Sequence, residues 1–469
     1  MIHTFLEYKN IKDEKMSKII VSKFGGTSMG NLQAMTCSAE IAKQKNSRLI
    51  VVSATSGTTN QLISIIKNAS NGDIISALQT IDDICTRHTT LASETELSKQ
   101  KLEIINKLIQ ELKSLAQGMY FLKDATLKAQ DRLQSIGERL SSLIFTEVLD
   151  KELKKLNPHF YCETLDARDY IETDNNFTKS KPVTERILRH CHSLKERLKN
   201  DSNLHYVTQG FIGKNENGDT TTLGRGGSDY SASIFGEALS ASEIQIWTDV
   251  AGIATTDPRI CPDAVIIPEL SFKEAAEMAT FGAKILHPTT VIPARRGNIP
   301  VFVGSTFSPN QGGTWIRKVV EQKPLVRSIN LRKDQSLITI SNPRMLNSHG
   351  FLSDLFNIFS IHDVSVDAIT TSEISVAVTI HESDLNTELT NDLEKYGRVK
   401  VEKGLSVVSI IGNKINHTFG LANKIFESLR DINVRMICQG ASLHNFCILV
   451  NQNDAQNAVR NLHHKFITQ

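Results

Sequence analysis

One stretch of the chain combines the residue types that bind anions. Residues 220–233 read TTTLGRGGSDYSAS, with Arg225 among three glycines and with Ser228 and Asp229 directly after them. Glycine lets backbone N–H groups come close to a ligand, and the alanine, isoleucine and leucine spacing beyond the loop predicts that it opens a helix. The stretch therefore predicts an anion-binding turn, with an ordinary glycine-rich loop as the alternative.

Lys23 stands at the end of a short β-branched strand that leads into a second glycine turn. The strand reads KIIVSK over residues 18–23, and FGGTS follows it with Gly25 and Gly26. After a helical pattern, the buried strand RLIVVSA ends in another polar loop at residues 55–60. Strand, polar loop and helix in alternation predict a parallel α/β sheet whose ligands bind at the carboxyl ends of the strands.

Long helices are predicted between residues 77 and 152, because leucine and isoleucine recur there at helical spacings. They contain GERLSS, in which Glu138 is either an exposed helix acid or a functional carboxylate. Further strands are predicted for HYVTQGFI at 205–212, for EIQIWT at 243–248 and for IPVFVG at 299–304, which would be the last strand of the sheet. The polar loops should therefore lie along the edge of one sheet.

The composition of the 469 residues is that of an ordinary soluble globular protein, with 40% hydrophobic and 22% charged residues. The formal charge of +2 excludes the pattern of a nucleic-acid binder, so small molecules or further copies of the chain are the expected partners. The seven cysteines include no CxxC pair, which favours reduced thiols over disulfides or a zinc site. Without a membrane span or a signal sequence, we expect a cytoplasmic protein with a flexible extension at residues 1–17.

The C-terminal third contains an internal repeat. GFLSDLFNIFSIHDVSV from Gly350 aligns with FGLANKIFESLRDINVRM from Phe419, so that Val364 corresponds to Val434 at an offset of 70. Each copy leads from a helix into two short strands, which predicts two βαββαβ units. Neither copy has a nucleophile, a metal-ligating cluster or a glycine phosphate loop. We therefore interpret this part as a binding or assembly module.

Five motifs together resemble the aspartokinases of the amino acid kinase family. They are KFGGTS from Lys23, GERLSS from Gly137, TTTLGRGGSDYSA from Thr220, WTDVAGIATTDPR from Trp247 and FGAKILHP from Phe281, in the order of that family. The tail is similar to the tandem ACT domains of the family, and MLNSHGFLSDLF followed by VSVDAITTSEISV resembles the monofunctional, lysine-sensitive type. The resemblance covers the chain from about Lys18 to its end.

The resemblance implies a three-layer αβα sandwich with a mainly parallel central sheet, followed by two ferredoxin-like βαββαβ ACT domains. We expect the catalytic domain over residues 18–325 and the regulatory region over residues 326–469. The first ACT unit is expected at about 337–404, and the second at about 405–469, completed by a strand from 326–336.

Aspartokinases transfer the γ-phosphoryl group of ATP to the side-chain carboxylate of aspartate, so the resemblance implies this reaction. That carboxylate is ionised at neutral pH, so no general base is needed, and catalysis must consist of positioning and charge neutralisation. Lys23 is the expected partner of the transferring phosphoryl group, and Gly25 and Gly26 are expected to supply backbone N–H donors. Asp229 is expected to hold Lys23 or a metal-bound water, and a helix N-cap is its alternative role.

The resemblance assigns four residues to aspartate: Thr59, Glu138, Arg225 and Ser228. Arg225 suits the α-carboxylate, and Glu138 suits the ammonium group. The assigned ATP-binding residues are Lys23, Phe24, Gly25, Gly26, Thr248, Asp249, Ala254, Arg259, Lys284 and Ile285. Ala254 departs from the family, which often has tyrosine there. Mg²⁺ is expected to arrive with ATP, because the sequence shows no carboxylate cluster that could hold a metal by itself.

In lysine-sensitive relatives the effector binds between the first ACT units of two subunits, so the resemblance also implies a homo-oligomer, a dimer or a tetramer. The matching residues are Met345, Ser348, Phe351, Leu352, Ser365, Val366, Asp367, Thr371, Ser372 and Glu373. Asp367 and Glu373 have the charge that the amino groups of lysine require, although these residues could instead serve dimer contacts alone. Two other functions stay open: a catalytically silent amino-acid sensor, and a kinase acting on a different carboxylate.

Overall fold

The structure, a computed structural model, describes residues 18–282, 287–320, 324–346 and 349–469. These residues form two compact units. The first runs to Ile253 and includes Pro268–Phe272 and the described part of Leu286–Val319, and the second contains the other described residues. The domain limits expected from the sequence stay a prediction. Across the described ranges, none of the helices has both the length and the apolarity that a bilayer crossing requires.

The strands of the first unit are β1 (Ile20–Phe24), β2 (Leu49–Val52), β3 (Tyr161–Leu165), β4 (Glu172–Thr173), β5 (Leu204–Gln209), β6 (Ile212–Asn215), β7 (Thr220–Thr222), β8 (Glu243–Thr248), β9 (Glu269–Ser271), β10 (Val301–Ser305) and β11 (Thr314–Arg317). The helices up to residue 296 are α1 (Leu32–Gln44), α2 (Thr58–Ser70), α3 (Ile74–Glu94), α4 (Lys99–Leu122), α5 (Leu127–Gln134), α6 (Ile136–Leu156), α7 (Thr184–Asn200), α8 (Gly227–Leu239), α9 (Phe272–Thr280) and α10 (Val291–Arg296).

Eight strands form the main sheet in the order β3-β5-β2-β1-β8-β10-β11-β9. Neighbouring strands are parallel except for β10 and β11, so the mainly parallel sheet expected from the sequence is confirmed. The prediction that residues 299–304 form the last strand was wrong, because β11 follows β10 in the same sheet. β11 has only four residues and therefore lacks the long apolar run by which a buried strand is recognised.

Helices cover both faces of the main sheet, which gives the expected αβα sandwich. On one face α6 packs against β2, β3 and β5, with α1 beside it and with α2, α3 and α4 as a further helical layer. On the other face α8 packs against β1, β2 and β8 and is flanked by α7 and α10. Phe24, Val52 and Trp247 are fully buried in the core of the first face. Because successive strand residues face opposite sides, Lys23 is directed to the face that α8 covers.

The predicted strand at residues 205–212 is interrupted. β5 ends at Gln209, and β6 begins at Ile212 in a separate three-stranded sheet with β4 and β7. Between them Phe211 has a φ of 71°, a left-handed conformation that ends regular strand geometry. The apolar pattern does not show this turn, so the prediction of one continuous strand was wrong.

The second unit has the strands β12 (Val326–Ser341), β13 (Ala368–Thr371), β14 (Ser375–His381), β15 (Arg398–Gly412), β16 (Val434–Gln439) and β17 (Asn445–Asn451), with the helices α11 (Phe351–Ile361), α12 (Thr387–Glu394), α13 (Leu421–Glu427) and α14 (Ala455–His463). The strand order is β13-β14-β12-β15-β17-β16, and neighbours are antiparallel. The two long strands β12 and β15 are shared, since each contributes one half to each βαββαβ unit. The expected pair of ferredoxin-like units is confirmed.

Two pairs of equivalent helix positions in the internal repeat have equal burial. Leu355 and Ile425 are fully buried on their helices, whereas Phe356 and Phe426 are 36% and 37% exposed. Two copies of one amphipathic pattern therefore pack against one sheet in the same manner.

Arg48 is buried at the start of β2 and holds the carbonyl groups of two other elements. Its guanidinium group donates to Leu204 O at 2.8 and 3.0 Å and to Leu198 O at 3.1 Å. Burial lowers the pKa of Arg48, and the nearby Asp201 opposes this effect. The side chain thus connects β2 with the end of α7 and the start of β5.

We predict that Arg48→Met will lower the stability of the protein by about 3 kcal/mol, because buried carbonyl groups lose their donors. The midpoint of thermal unfolding measures this loss. The matched control is Arg189→Met, at an exposed position of α7, the helix whose end Arg48 contacts. This change should alter stability by less than about 0.5 kcal/mol. Equal midpoints for the two variants would contradict the assigned role of Arg48.

Candidate active site

Four neighbouring strands bring the polar loops that follow them to one edge of the main sheet, whereas the glycine loop with Arg225 follows β7 of the three-stranded sheet. Lys23 on β1 lies in register with Val51 on β2 and with Ile246 on β8, and Val52 lies in register with Gln209 on β5. The loops that follow these parallel strands therefore begin side by side, at the edge where such sheets bind ligands.

Lys23 and Asp229 form an ion pair at this edge. The Nζ atom of Lys23 lies 2.5 Å from Oδ1 of Asp229, and the two side chains are 10% and 13% exposed. Lys23 comes from β1, and Asp229 comes from the first turn of α8. Of the roles considered for Asp229, the helix N-cap is wrong, because Gly226 occupies that position.

The glycine loop before α8 is packed too tightly for side chains. Gly226 has a φ of 71°, and a Cβ atom there would lie 2.5 Å from the Cβ atom of His287. Arg225 next to it is exposed. Burial, and after it the positive charge of Arg225, lowers the pKa of His287, whereas Asp229 opposes this shift. The loop therefore places Arg225, His287 and Asp229 within electrostatic reach of one another.

Gly210, which the sequence analysis missed, fixes the position of Ser228. A Cβ atom on Gly210 would lie 2.6 Å from the Cβ atom of Ser228 and 2.7 Å from its Oγ atom. The next residue, Phe211, donates its backbone N–H to Ser231 Oγ at 3.0 Å. The end of β5 and the start of α8 are thus in direct contact, and the glycine that follows HYVTQ was the available signal.

Glu138 is buried at the N-terminal end of α6 and is only 4% exposed, so the interpretation as an exposed helix acid was wrong. Its Oε1 atom accepts the backbone N–H of Ala54, in the loop after β2, at 3.2 Å. Burial raises the pKa of Glu138 to about 8, although hydrogen bonds from the backbone N–H groups of Ala54 and of Glu138 itself favour the ionised form. In the free protein this carboxyl group is therefore largely protonated at neutral pH.

The serines of GERLSS connect α6 to the ends of two strands. Ser141 Oγ donates to the carbonyl oxygen of Ser53 at 2.6 Å, and Gln209 Nε2 donates to Ser142 Oγ at 2.8 Å. These bonds explain why the motif places small hydroxyl residues after Glu138: they hold the helix end that carries the carboxylate against β2 and β5.

Thr59 lies in the first turn of α2, on the loop that follows β2. The N-cap of this helix is Gly57, with a φ of 79°, and Thr59 is exposed. Thr59, Glu138, Arg225 and Ser228 are therefore all placed on loops or helix ends at the same edge of the sheet.

The residues predicted to bind ATP in the first unit differ in what they can offer. Phe24 is fully buried and stacks on Trp247, so its side chain is directed away from any nucleotide. The backbone N–H of Gly25 donates to the carbonyl oxygen of Trp247 at 3.0 Å, so the expected donor role of Gly25 needs correction. Gly26 is the remaining donor candidate in this turn. Thr248 donates its hydroxyl to Asp249 at 3.1 Å at the end of β8.

Further residues predicted to bind ATP belong to the second unit. Ala254 forms an isolated β-bridge with Ile266. Arg259 is 82% exposed and pairs with Asp257 through Nε at 2.9 Å and Nη2 at 2.7 Å. Lys284 and Ile285 lie outside the described residues.

The sequence predicted that Mg²⁺ arrives with ATP and that the chain holds no metal by itself. In the ranges that the structure describes, no three His, Cys, Asp or Glu side chains are grouped in a way that could hold a metal ion. The carboxylate of Asp229 already faces the ammonium group of Lys23.

The residues predicted to bind lysine lie around α11, β13 and the turn after β13. Met345, Phe351 and Val366 pack against one hydrophobic cluster of this half of the unit. Leu352, Ser365, Thr371, Ser372 and Glu373 are exposed. Ser372 closes the turn between β13 and β14 by donating its backbone N–H to Ser375 O at 2.8 Å. Ser348 lies outside the described residues.

Asp367 is the most buried carboxylate of this group. Its Oδ1 atom lies 2.9 Å from Nη1 of Arg332, and its side chain is 10% exposed. Within the described part of the chain, its buried Oδ2 atom has no hydrogen-bond partner. Burial raises the pKa of Asp367, although the nearby Arg332 opposes this shift. One carboxylate oxygen is therefore left for a further donor.

The fold and the site define a kinase of the amino acid kinase type with appended ACT units. The sequence profile of the amino acid kinase family matches residues 18–305, and an ACT-domain profile matches residues 408–466. The lysine-sensitive aspartokinase 3 of Escherichia coli (strain K12) is 41% identical over 462 residues, which cover 96% of this chain and 99% of that protein. The chain belongs to the aspartokinases.

Solved structures agree with this assignment. The crystal structure of E. coli aspartokinase III in complex with aspartate and ADP, in the R-state, matches with a TM-score of 0.85 at 40% identity, covering 96% of this chain and all of that chain (100%). The structure of the same enzyme with lysine and aspartate, in the T-state, matches with a TM-score of 0.78 over the same shares of the chains.

We predict that the buried Glu138 makes stability fall as the pH rises. An acid whose pKa is raised to about 8 in the folded protein binds a proton that the unfolded chain has already released above about pH 4.5. The contribution of Glu138 to the free energy of unfolding should therefore be greatest below about pH 4.5 and should decrease until about pH 8. Glu138→Gln removes this dependence, so thermal unfolding of the variant should gain on the wild type between pH 5 and pH 8.

Glu152, on the same helix α6, provides the matched control. Burial opposes its ionisation, but hydrogen bonds from Lys155 and Lys43 outweigh this effect and lower its pKa. Glu152→Gln should therefore run parallel to the wild type over that pH range. A Glu138→Gln variant that also runs parallel would show that Glu138 is ionised in the free protein.

Proposed function

We propose that this protein is an aspartate kinase that transfers the γ-phosphoryl group of ATP to the side-chain carboxylate of L-aspartate. The products are ADP and 4-phospho-L-aspartate. This reaction is the first committed step toward lysine, threonine, methionine and diaminopimelate. The barrier of this reaction is the approach of a carboxylate to a polyanion, so the site must neutralise charge rather than remove a proton.

The observation that carries the proposal is the ion pair of Lys23 with Asp229. A lysine on a central strand, held by an aspartate at a helix start, is fixed in direction next to the loops that would hold both substrates. Lys23 is assigned to the transferring phosphoryl oxygens. Asp229 orients the Lys23 side chain and forms the ion pair with it when no phosphate is bound.

The aspartate substrate is assigned to Thr59, Glu138, Arg225 and Ser228. Arg225 is exposed and can take the α-carboxylate with two parallel hydrogen bonds. The ammonium group of the substrate is assigned to Glu138. Because Glu138 is mostly neutral in the free protein, the arriving ammonium group would itself favour its ionised form. Amino acids without a free ammonium group would leave a carboxylic acid buried against them and should bind weakly.

ATP is assigned to Gly26, Thr248 and Asp249 in the first unit, together with the backbone of Phe24. Ala254, Arg259, Lys284 and Ile285 complete the proposed set. With no group of three metal ligands among the described residues, Mg²⁺ would be held mainly by phosphate oxygens, as is usual for this ion. The metal would neutralise phosphate charge, and the residues of this chain would position the two substrates.

We further propose feedback inhibition by L-lysine through the second unit. The buried Oδ2 atom of Asp367, which has no hydrogen-bond partner among the described residues, supports an ammonium-binding role. Ser348, Glu373 and the other assigned residues complete the proposed set. Lysine would act by its difference in affinity for an active and an inactive state. We also assign the chain to a homo-oligomer in the cytoplasm, a dimer formed through the ACT units.

We predict that Lys23→Ala will reduce the turnover of aspartate by about 10³-fold or more, because the transferring phosphoryl group loses its cation. The assay follows aspartyl hydroxamate formed from the acyl phosphate in the presence of ATP, Mg²⁺ and hydroxylamine. Lys45→Ala, at the exposed end of α1, is the control and should keep the wild-type rate. A Lys23→Ala rate close to wild type would refute the assignment.

We predict that Asp367→Asn will raise the lysine concentration that gives half-inhibition by about tenfold, because a neutral amide attracts the ammonium group less strongly. Asp363→Asn, an exposed position just before β13, is the matched control and should keep the wild-type value. Each variant is compared with its own activity without lysine. Inhibition of the wild type by threonine and not by lysine would contradict the effector assignment and leave the kinase assignment intact.

A further inference from the structure

We infer that His88 is a positioning residue for aspartate, which sets the substrate loop, residues 55–59, through a one-directional chain of side-chain hydrogen bonds. This inference rests on the proposed function, in which Thr59 of that loop contacts the substrate. His88 lies on α3 and makes its hydrogen bonds with Ile84 and Thr55, which are not among the four assigned aspartate-binding residues, so its effect on the substrate would be indirect.

The contacts of His88 determine which of its nitrogens carries the proton. The side chain is fully buried, with Nδ1 2.8 Å from the carbonyl oxygen of Ile84 and Nε2 3.2 Å from Thr55 Oγ1. A carbonyl oxygen only accepts, so Nδ1 must carry the hydrogen. Burial lowers the pKa of His88 to about 4, so at neutral pH its Nε2 atom is an acceptor. The ring therefore requires a donor from the loop.

That requirement orders the hydroxyl groups of the substrate loop. Thr55 gives its single hydroxyl proton to His88, so the contact of 2.6 Å between Thr55 and Thr58 must be a bond that Thr58 donates. The Oγ1 atom of Thr58 can then accept from Nη1 of Arg87 at 3.3 Å, and the same Nη1 donates to Ser56 O at 2.8 Å. Both hydroxyl residues are buried, so water does not replace these partners.

The chain ends at the residue before Thr59. Thr58 is the first residue of α2, and the loop reaches it through Gly57 in a left-handed conformation. Because the Thr58 side chain is fixed inward, the exposed Thr59 and the first backbone N–H groups of α2 are held at one edge of the sheet. The other residues that are assigned to the aspartate substrate lie at the same edge. A loop without this chain would have to order itself when the substrate binds, which weakens binding.

His205 gives a matched comparison within the same unit. It is also buried, donates Nδ1–H to a backbone carbonyl, that of Ser47, at 2.8 Å, and has a pKa lowered to about 4 by burial. His205 lies near the start of β5, at the opposite edge of the sheet from the substrate loop. Loss of either histidine should therefore cost stability, but only loss of His88 should affect aspartate.

The test compares His88→Leu with His205→Leu in steady-state hydroxamate assays. We expect His88→Leu to raise the KM for aspartate roughly tenfold while the KM for ATP changes by less than about twofold. His205→Leu should lower the unfolding midpoint and leave both KM values within about twofold of wild type. His88→Gln, which can still accept from Thr55, should recover part of the aspartate affinity. If His88→Leu and His205→Leu give the same KM for aspartate, the inference is overturned.

Thr55 variants test the chain without removing a ring from the core. Thr55→Val should raise the KM for aspartate as His88→Leu does, and Thr55→Ser should stay near wild type. Both changes break the bond between Thr55 and His88, and Thr55→Val also removes the acceptor of the Thr58 hydroxyl. The double variant Thr55→Val/His88→Leu should therefore be no worse than the more severe single variant. Independent, additive increases would overturn the inference. Absence of wild-type turnover with aspartate would instead refute the proposed function, so the two failures are distinguishable.

Discussion

The ion pair between Lys23 and Asp229 is the interaction on which the site depends. A cation placed on a central strand under a helix is unfavourable unless an anion is fixed beside it, and the first turn of α8 supplies that anion. The pairing in turn requires the tight glycine turn at Gly226, because the helix must begin directly above the strand end. The position of α8 then fixes Ser228 against Gly210.

The second constraint is the burial of Glu138. A carboxyl group at the start of a helix would normally ionise readily, yet in this position loss of water is the larger effect and keeps it protonated. The hydroxyl groups of Ser141 and Ser142 hold this helix end against β2 and β5, so the carboxyl group cannot move out to solvent. In the proposed function, this buried acid would regain its charge only beside the ammonium group of the substrate and would thereby select an amino acid.

In the second unit, the two ferredoxin-like halves are joined by shared strands. Two long strands, β12 and β15, are each used by both ferredoxin-like units, so the halves share one sheet and one hydrogen-bond ladder. Arg332 lies on the shared strand β12, and its partner Asp367 belongs to the first of the two ferredoxin-like units. A ligand that competes for Asp367 would therefore act on a residue of β12 itself.

The sequence by itself determined the fold class, the repeat and the identity of the loops, because strand and helix periodicities and glycine turns are local properties of the chain. It could not show that the Phe24 side chain stacks on Trp247 in the core or that the backbone N–H of Gly25 donates to the Trp247 carbonyl. Nor could it show that Gly210 lies against Ser228 or that Glu138 is buried. These facts depend on which residues meet across strands that are distant in the chain. Only the tertiary structure sets those distances, and with them the burial that decides the charge of Glu138 and the hydrogen-bond direction at His88.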